Sequence, residues 1–256
     1  MDILVFLSKK VGLECAMYLL DAFPKDKYRF IFTGEDFGEA RDALGSRAHK
    51  VEVLSDQTLR DIEGENSRKY DWLLNLWGSH IFKTEQIKRA KRTLNIHPSM
   101  LPLGRGRDPV VWSIINGWPA GVTLHEIDDG IDTGAIWHQE EEPYEFPIMG
   151  GELYQRVLNR SVKVFCQQWP QLRRGGDVPI AQQPGTIATR RCELMEGRSI
   201  RMDDDNSVSG FVRKLCAYDF PGDFSAQLMI NGRSYSVRLA LELLEPGEEG
   251  NRSREL

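Results

Sequence analysis

Two quoted segments decide the reading: Thr93-Leu94-Asn95-Ile96-His97-Pro98-Ser99-Met100-Leu101-Pro102 and Gly121-Val122-Thr123-Leu124-His125-Glu126-Ile127-Asp128-Asp129-Gly130-Ile131-Asp132-Thr133-Gly134. Each opens with a short apolar run of strand character and closes in a loop carrying polar side chains. Sites of open α/β sheets gather at strand ends of this kind. Pro98 disfavours the helical region for His97, which is therefore extended. Asn95 lies two residues earlier and points to the same side of the strand. An imidazole can take a proton from an attacking amine, an amide NH₂ can stabilise an oxyanion, and Asp132 can orient an imidazole. Each residue alone has a structural alternative: a histidine in a turn, an asparagine closing a strand, an Asp-Gly turn.

Outward from this stretch, apolar runs alternate with helical patterns. Ile3 to Leu7, Tyr28 to Thr33, His49 to Leu54, Asp71 to Trp77 and Thr93 to Ile96 read as strands. Leu13 to Phe23, Asp36 to Leu44, Asp56 to Lys69 (with Asp56 as N-cap) and Lys83 to Lys91 read as helices between them, with Ser8 to Gly12 a turn. That alternation predicts a mostly parallel α/β sheet covered on both faces. Pro109 to Asn116 is a helix with proline at its start. Gly121 to Ile127 and Ala135 to Glu140 are strands, and Gly151 to Leu172 is a long amphipathic helix. Gly175-Gly176-Asp177 and Pro184-Gly185 break the pattern. Residues 1–182 are expected to form the catalytic domain, 183–244 a small β-rich subdomain and 245–256 a charged, flexible tail. Within the subdomain, Ser209 to Ala217 reads as a short helix. Asn231-Gly232 between Gln227–Ile230 and Arg233–Leu241 predicts a tight hairpin.

Composition excludes several classes. The formal net charge is -5, and residues 196–256 carry 8 Lys/Arg against 11 Asp/Glu. Neither is the basic footprint of a nucleic-acid partner. Cys15, Cys166, Cys192 and Cys216 form no paired motif, and no signal segment or membrane-length apolar run is read, so a reduced, cytoplasmic setting is expected. The turn after Leu7 lacks the glycine fingerprint of a dinucleotide site. His97, His125, His138 and Asp132 show no helical metal-ligand spacing, so no metal is expected. Ser99 is not in a nucleophile elbow.

Taken as a set, Asn95-Ile96-His97-Pro98-Ser99, Leu101-Pro102, Arg105-Gly106-Arg107-Asp108-Pro109 with Trp112, Gly121 to His125, and Ile131-Asp132-Thr133-Gly134 resemble the folate-dependent formyltransferase family. The resemblance implies a Rossmann-like formyltransferase domain in which Asn95, His97 and Asp132 are catalytic. It implies 10-formyltetrahydrofolate as formyl donor, resting against Ser79, His80, Ile81 and Phe82 and against Ile127, Asp128, Asp129 and Gly130. Among the branches, the chain is most similar to the sugar N-formyltransferases, which implies a dTDP- or UDP-linked amino-deoxysugar as acceptor, a place in lipopolysaccharide O-antigen biosynthesis, and a homodimer. Ser8, Lys9, Lys10, Arg105, Gly106 and Tyr218 are the expected acceptor contacts; Lys9 and Lys10 also read as solvated lysines, and Tyr218 as a packing residue. Another amine acceptor, peptidyl or aminoacyl, is the alternative within the enzymes. A non-catalytic folate- or nucleotide-binding protein is the alternative outside them, and a base beside an amide argues against it.

Overall fold

The structure is a computed structural model that describes residues 1–34, 37–47, 50–64, 69–201, 204, 207–222 and 224–242. In chain order its elements are β1 (Asp2–Leu7), α1 (Lys9–Ala22), β2 (Lys27–Phe32), α2 (Phe37–Leu44), a 3₁₀ turn (Gly45–Arg47), β3 (Lys50–Val53), α3 (Asp56–Glu63), β4 (Tyr70–Leu76), α4 (Thr84–Ile87) and β5 (Ala90–His97). They continue with α5 (Pro109–Asn116), β6 (Gly121–His125), β7 (Ile136–Glu141), α6 (Gly150–Leu172), α7 (Arg191–Gly197), β8 (Ser199–Arg201), α8 (Val208–Ala217), β9 (Ala226–Ile230) and β10 (Arg233–Val237).

Seven strands form one sheet in the order β3-β2-β1-β4-β5-β6-β7. The pairings from β3 through β5 are parallel. The pairings of β5 with β6 and of β6 with β7 are antiparallel. The chain doubles back between β1 and β4, so their carboxyl ends open a crevice at the point where α/β sheets bind ligands. β1 shows why its sequence is apolar throughout: Ile3, Val5 and Leu7 pack into one buried cluster and Leu4 and Phe6 into the other. The larger cluster lies beneath α1, α5 and α6 and includes Trp169, stacked on Phe165 with ring centroids 5.7 Å apart. The smaller holds Ile62 of α3 and Phe82. A strand covered on both faces needs no polar alternation.

The C-terminal part adds a three-stranded sheet, β10-β9-β8. Asn231 and Gly232 both have positive φ (49° and 73°), and Ile230 pairs with Arg233, which is the two-residue primed hairpin the Asn-Gly pair predicts. Gly150 lets the first turn of α6 meet the end of α8: a Cβ there would lie 2.3 Å from the carbonyl oxygen of Ala217. Residues 245–256 lie outside the described residues.

Several local expectations are corrected. Lys83 to Lys91 is not one helix; α4 is a single turn, and Ala90 and Lys91 already belong to β5, where Ala90 pairs with Tyr70. Ser55, not Asp56, caps α3, because its hydroxyl accepts the Thr58 N–H at 3.1 Å. α3 ends at Glu63, and residues 65–68 of the longer predicted helix lie outside the described residues. Lys9 opens α1 directly after Ser8, so the expected five-residue turn is the helix start. The pattern also hid α7 and the three-residue β8, both too short to show a period. Position 182, expected to end the first unit, sits in the middle of a strap. Residues 178–190 run back over the part that carries the seven-stranded sheet, pairing Ile180 with Ile136 and Thr189 with Gly106.

Trp169 fills the core beneath α6 with no exposed surface. Trp169→Ala is expected to cost about 3–5 kcal/mol, the range for truncating a buried aromatic, read as a lowered denaturant midpoint at unchanged slope.

Candidate active site

The carboxyl ends of β4 and β5, the end of β6 and the loop after it meet at one place. β5 carries Asn95 and His97, two residues apart and so on one face of the sheet. Asn95 pairs directly with His125 across the antiparallel ladder, and the 126–135 loop folds back to deliver Asp132. The loop is closed by the Glu126 N–H donating to the Ala135 carbonyl at 2.8 Å. The structure thus brings Asn95, His97 and Asp132 together, and adds His125 and Asn75 to them.

The partners fix where the protons are. His97 Nε2 lies 2.9 Å from the carbonyl oxygen of Gly104. A carbonyl only accepts, so Nε2 carries the hydrogen and the Nδ1 of the neutral ring carries the lone pair. That Nδ1 is 3.5 Å from Asp132 Oδ2. His125 has the opposite tautomer: its Nδ1 donates to the Glu126 carbonyl at 2.6 Å, leaving Nε2 to accept the Asn95 amide N–H at 2.9 Å. Asn95 Oδ1 in turn accepts from Asn75 Nδ2 at 2.9 Å. The amide of Asn95 therefore has one orientation, with its NH₂ group facing His125 and Asp132. The second hydrogen reaches Asp132 Oδ1 at a long 3.4 Å, and is the one placed to turn toward a developing oxyanion.

Asp132 has φ 54°, a left-handed backbone for a residue with a side chain. Its Oδ2 accepts the backbone N–H of Gly106 at 2.9 Å. Gly106 is itself at φ 88°, and a Cβ would come 2.3 Å from the Thr189 carbonyl, so this close approach requires glycine. Burial alone would raise the Asp132 carboxyl. The imidazoles of His97 and His125 and the Gly106 N–H outweigh it and hold Asp132 well below the usual carboxylate range. His97 is only 4 % exposed. Burial pushes its imidazole below the ordinary histidine value, against the opposing pull of Asp132. His97 is thus a neutral base near pH 7, next to an ionised carboxylate that stabilises its protonated form.

The two segments expected to hold the folate lie side by side. Thr84 Oγ1 donates to Asp129 Oδ1 at 2.6 Å and joins them. Ile81 is 75 % exposed. His80 and Phe82 direct their rings inward: His80 stacks on Phe6 at 5.2 Å and Phe82 meets the same ring edge-on at 4.7 Å. Phe82 is buried and His80 half-buried. Ser79, Asp128, Asp129 and Gly130 are exposed. The Ile127 N–H is already bonded to Thr93 Oγ1 at 2.7 Å, and the Gly130 N–H to Asp128 Oδ1 at 3.1 Å. Asp128 is therefore the staple of its own turn.

The acceptor candidates divide. Lys9 and Lys10 are exposed at the mouth of the β1/β4 crevice, Lys9 at φ 54°. Lys10 has a loose ion pair with Glu14 at 3.6 Å. The Ser8 hydroxyl donates to the Trp77 carbonyl and holds the neighbouring turn. Arg105 Nη2 donates to Gln182 Oε1 at 2.8 Å, and the Gly106 N–H is spent on Asp132. Tyr218 overturns its expected role: its side chain is fully buried and its hydroxyl donates to the Leu194 carbonyl at 3.0 Å. A ring without an exposed face cannot stack on a base. Among the described residues, no group of three or more His, Cys, Asp or Glu side chains is arranged to hold a metal.

His125 and Gln182 were missed as site residues. Nothing in the sequence around His125 marks its partner; its pairing with Asn95 follows from an antiparallel register that no local pattern states. Gln182 comes from a segment with no periodicity at all.

Residues 79–168 match the family model described as formyl transferase. The dTDP-4-amino-4,6-dideoxyglucose formyltransferase of Mycobacterium tuberculosis is 29% identical over 184 residues, covering 70% of this chain and 77% of that protein. A sugar N-formyltransferase from a Shewanella species shares the fold with a TM-score of 0.79 at 22% identity, over 96% of this chain and 99% of its own. A formyltransferase from Anoxybacillus kamchatkensis, solved in complex with UDP-4,6-dideoxy-4-formamido-L-AltNAc and tetrahydrofolate, aligns with a TM-score of 0.58 at 25% identity, over 77% of this chain and 89% of its own. Residues 79–168 thus form a formyl transferase domain that holds the Asn95, His97 and Asp132 cluster, and the chain is similar to sugar N-formyltransferases.

Proposed function

We propose that the enzyme transfers the formyl group of 10-formyltetrahydrofolate to the amino group of a nucleotide-linked amino-deoxysugar. The observation that carries this reading is the Asp132 carboxylate, with one oxygen 3.5 Å from His97 Nδ1 and the other 3.4 Å from the NH₂ of Asn95. A binding protein needs no base held against a buried carboxylate and an oriented amide donor. The relatives named for sugar formylation, one of them holding a UDP-linked sugar and tetrahydrofolate, support the acceptor and donor classes.

The donor, as co-substrate, supplies a formyl carbon bonded to N10. Its binding face in this reading is the pair of segments joined through Thr84 and Asp129, with exposed Ile81 beside the pterin. When the acceptor amine adds to that carbon, Asn95 turns its loosely held amide hydrogen toward the oxygen on which charge builds. His97 Nδ1 takes one proton from the new ammonium centre and becomes an imidazolium against Asp132. As the bond from carbon to N10 breaks, His97 Nδ1 returns that proton to the leaving N10 and becomes neutral again. The products are a formamide and tetrahydrofolate, and no covalent bond to the protein forms. Gly104 keeps the Nε2 proton in place, so only Nδ1 titrates in the cycle.

The acceptor's diphosphate is assigned to Lys9 and Lys10, which stand free of the packed core where β1 gives way to α1. A homodimer is proposed through the strand β10, whose residues Arg233 to Ser236 are exposed and which, among the described residues, pairs on one side only, with β9. The acidic balance of the C-terminal part disfavours an aminoacyl-tRNA acceptor.

The reading is tested by an amine-dependent assay with 10-formyltetrahydrofolate and dTDP-, UDP- and GDP-linked amino sugars. Turnover is expected with at least one of these; donor consumption that ignores every amine would exclude a transferase. His97→Ala is expected to lower kcat by about 10²–10⁴-fold, the usual worth of a general base, with the fold retained by circular dichroism. In a histidine NMR titration, the His97 midpoint is expected below about 6.5, and lower still in Asp132→Asn, which removes the charge favouring the imidazolium. The sign for stability follows: a depressed imidazole means the unfolded chain binds the proton more readily, so this group costs stability as pH falls below about 6.5. Replacing Lys9 and Lys10 together by alanine is expected to raise the acceptor KM about tenfold or more, the equivalent of one charge-assisted hydrogen bond, with kcat held.

A further inference from the structure

The strap of residues 178–190 is outside the segment that matches the family model, yet it touches both loops of the centre. Gln182 stands at the crossing. Its Nε2 donates to the carbonyl of Asp132 at 3.0 Å and to the carbonyl of Gly134 at 2.6 Å. Its Oε1 accepts from Arg105 Nη2 at 2.8 Å. Two carbonyls demand the NH₂ and a guanidinium demands the oxygen, so all three partners select the same orientation of one carboxamide. The strap is not held by burying apolar side chains: Val178, Ile180 and Ile187 are 85%, 74% and 92% exposed. Backbone bonds hold it instead, from Thr186 N to the Pro102 carbonyl at 3.1 Å and from Thr189 N to the Arg105 carbonyl at 3.0 Å.

We infer that Gln182 is a positioning residue of the catalytic centre: its carboxamide holds the left-handed backbone of Asp132 so that the carboxylate faces His97, and ties that loop to the one carrying Arg105 and Gly106. The backbone at Asp132 is a conformation that side-chain-bearing residues leave when nothing restrains them. Two of its restraints come from other loops. The Gly106 N–H holds the carboxylate, and Gln182 holds the carbonyls on either side of Thr133. Without the second, the loop relaxes and the carboxylate withdraws from the imidazole and from the Gly106 N–H. Because the strap leads directly into α7 and the small sheet, the C-terminal part has a physical hold on the reacting groups.

This role rests on the formyl-transfer reading for its kinetic consequence but not for its structural one, and the test separates the two. Gln182→Glu keeps an acceptor for Arg105 but sets oxygen against the two carbonyls; Gln182→Met keeps the length and loses every polar partner. In the full chain, Gln182→Glu is expected to lower kcat about 10- to 100-fold, as small misplacements of a catalytic group do, with the acceptor KM changed less than about twofold. Hydrogen exchange read by mass spectrometry is expected to speed up about tenfold or more in both variants for the peptide carrying Gly106, with peptides of β1 and β4 unchanged. Wild-type kcat in Gln182→Glu would overturn the proposal. So would Gly106 exchange unchanged in both variants, or faster exchange throughout the sheet, which would mark a folding role alone. If the wild-type protein transfers no formyl group to any amine tested, the functional reading fails while the exchange at Gly106 still decides Gln182.

Discussion

The carboxylate of Asp132 between two imidazoles is the interaction on which the site depends. It faces His97 Nδ1 and His125 Nε2, both at 3.5 Å, and is anchored by the Gly106 N–H. Its left-handed backbone costs about 1–2 kcal/mol, a strain that persists only because surrounding bonds over-determine it. Once Asp132 is fixed, the remaining choices follow. His97 must present its lone pair because Gly104 holds its other nitrogen. His125 must accept because Glu126 holds its donor. Asn95 must then turn its NH₂ inward, and Asn75 satisfies the oxygen left behind.

The sheet makes this possible by its mixed pairing. Parallel strands from β3 to β5 bring the ends of β1, β4 and β5 to one edge. β6 then starts at that edge and runs away from it, so that His125 ends its strand opposite Asn95, two residues short of the end of β5.

Much of this was legible in the sequence, for identifiable reasons. The strand character of Ile3 to Leu7 was plain because both faces are buried, and the hairpin was plain because Asn231-Gly232 admits few other conformations. Asn95 and His97 were legible through period two and the constraint of Pro98. Asp132 stood out only through its glycine-rich setting, while its partnership with Gly106, 26 residues away, is tertiary. His125 was hidden by the same logic, since its role depends on which residue lies across the ladder. Tyr218 misled because aromatic residues near a loop read alike whether they face solvent or core. The four-residue α4 was overextended because the basic run after it looks helical, although β5 claims it for pairing with β4. Gln182 was invisible, lying in a polar segment whose meaning comes wholly from the three groups it meets.

The central claim is a placement of protons: at neutral pH His97 is uncharged, with hydrogen on Nε2 and a bare Nδ1 facing Asp132. Nitrogen-15 NMR of the histidine ring nitrogens at pH 7, with His97 assigned by its absence in His97→Ala, reads this directly. The account predicts a protonated-type shift at Nε2 and an unprotonated-type shift at Nδ1. A hydrogen on Nδ1, as the other neutral tautomer or as a full imidazolium at pH 7, would leave no base to receive the amine's proton and would contradict it.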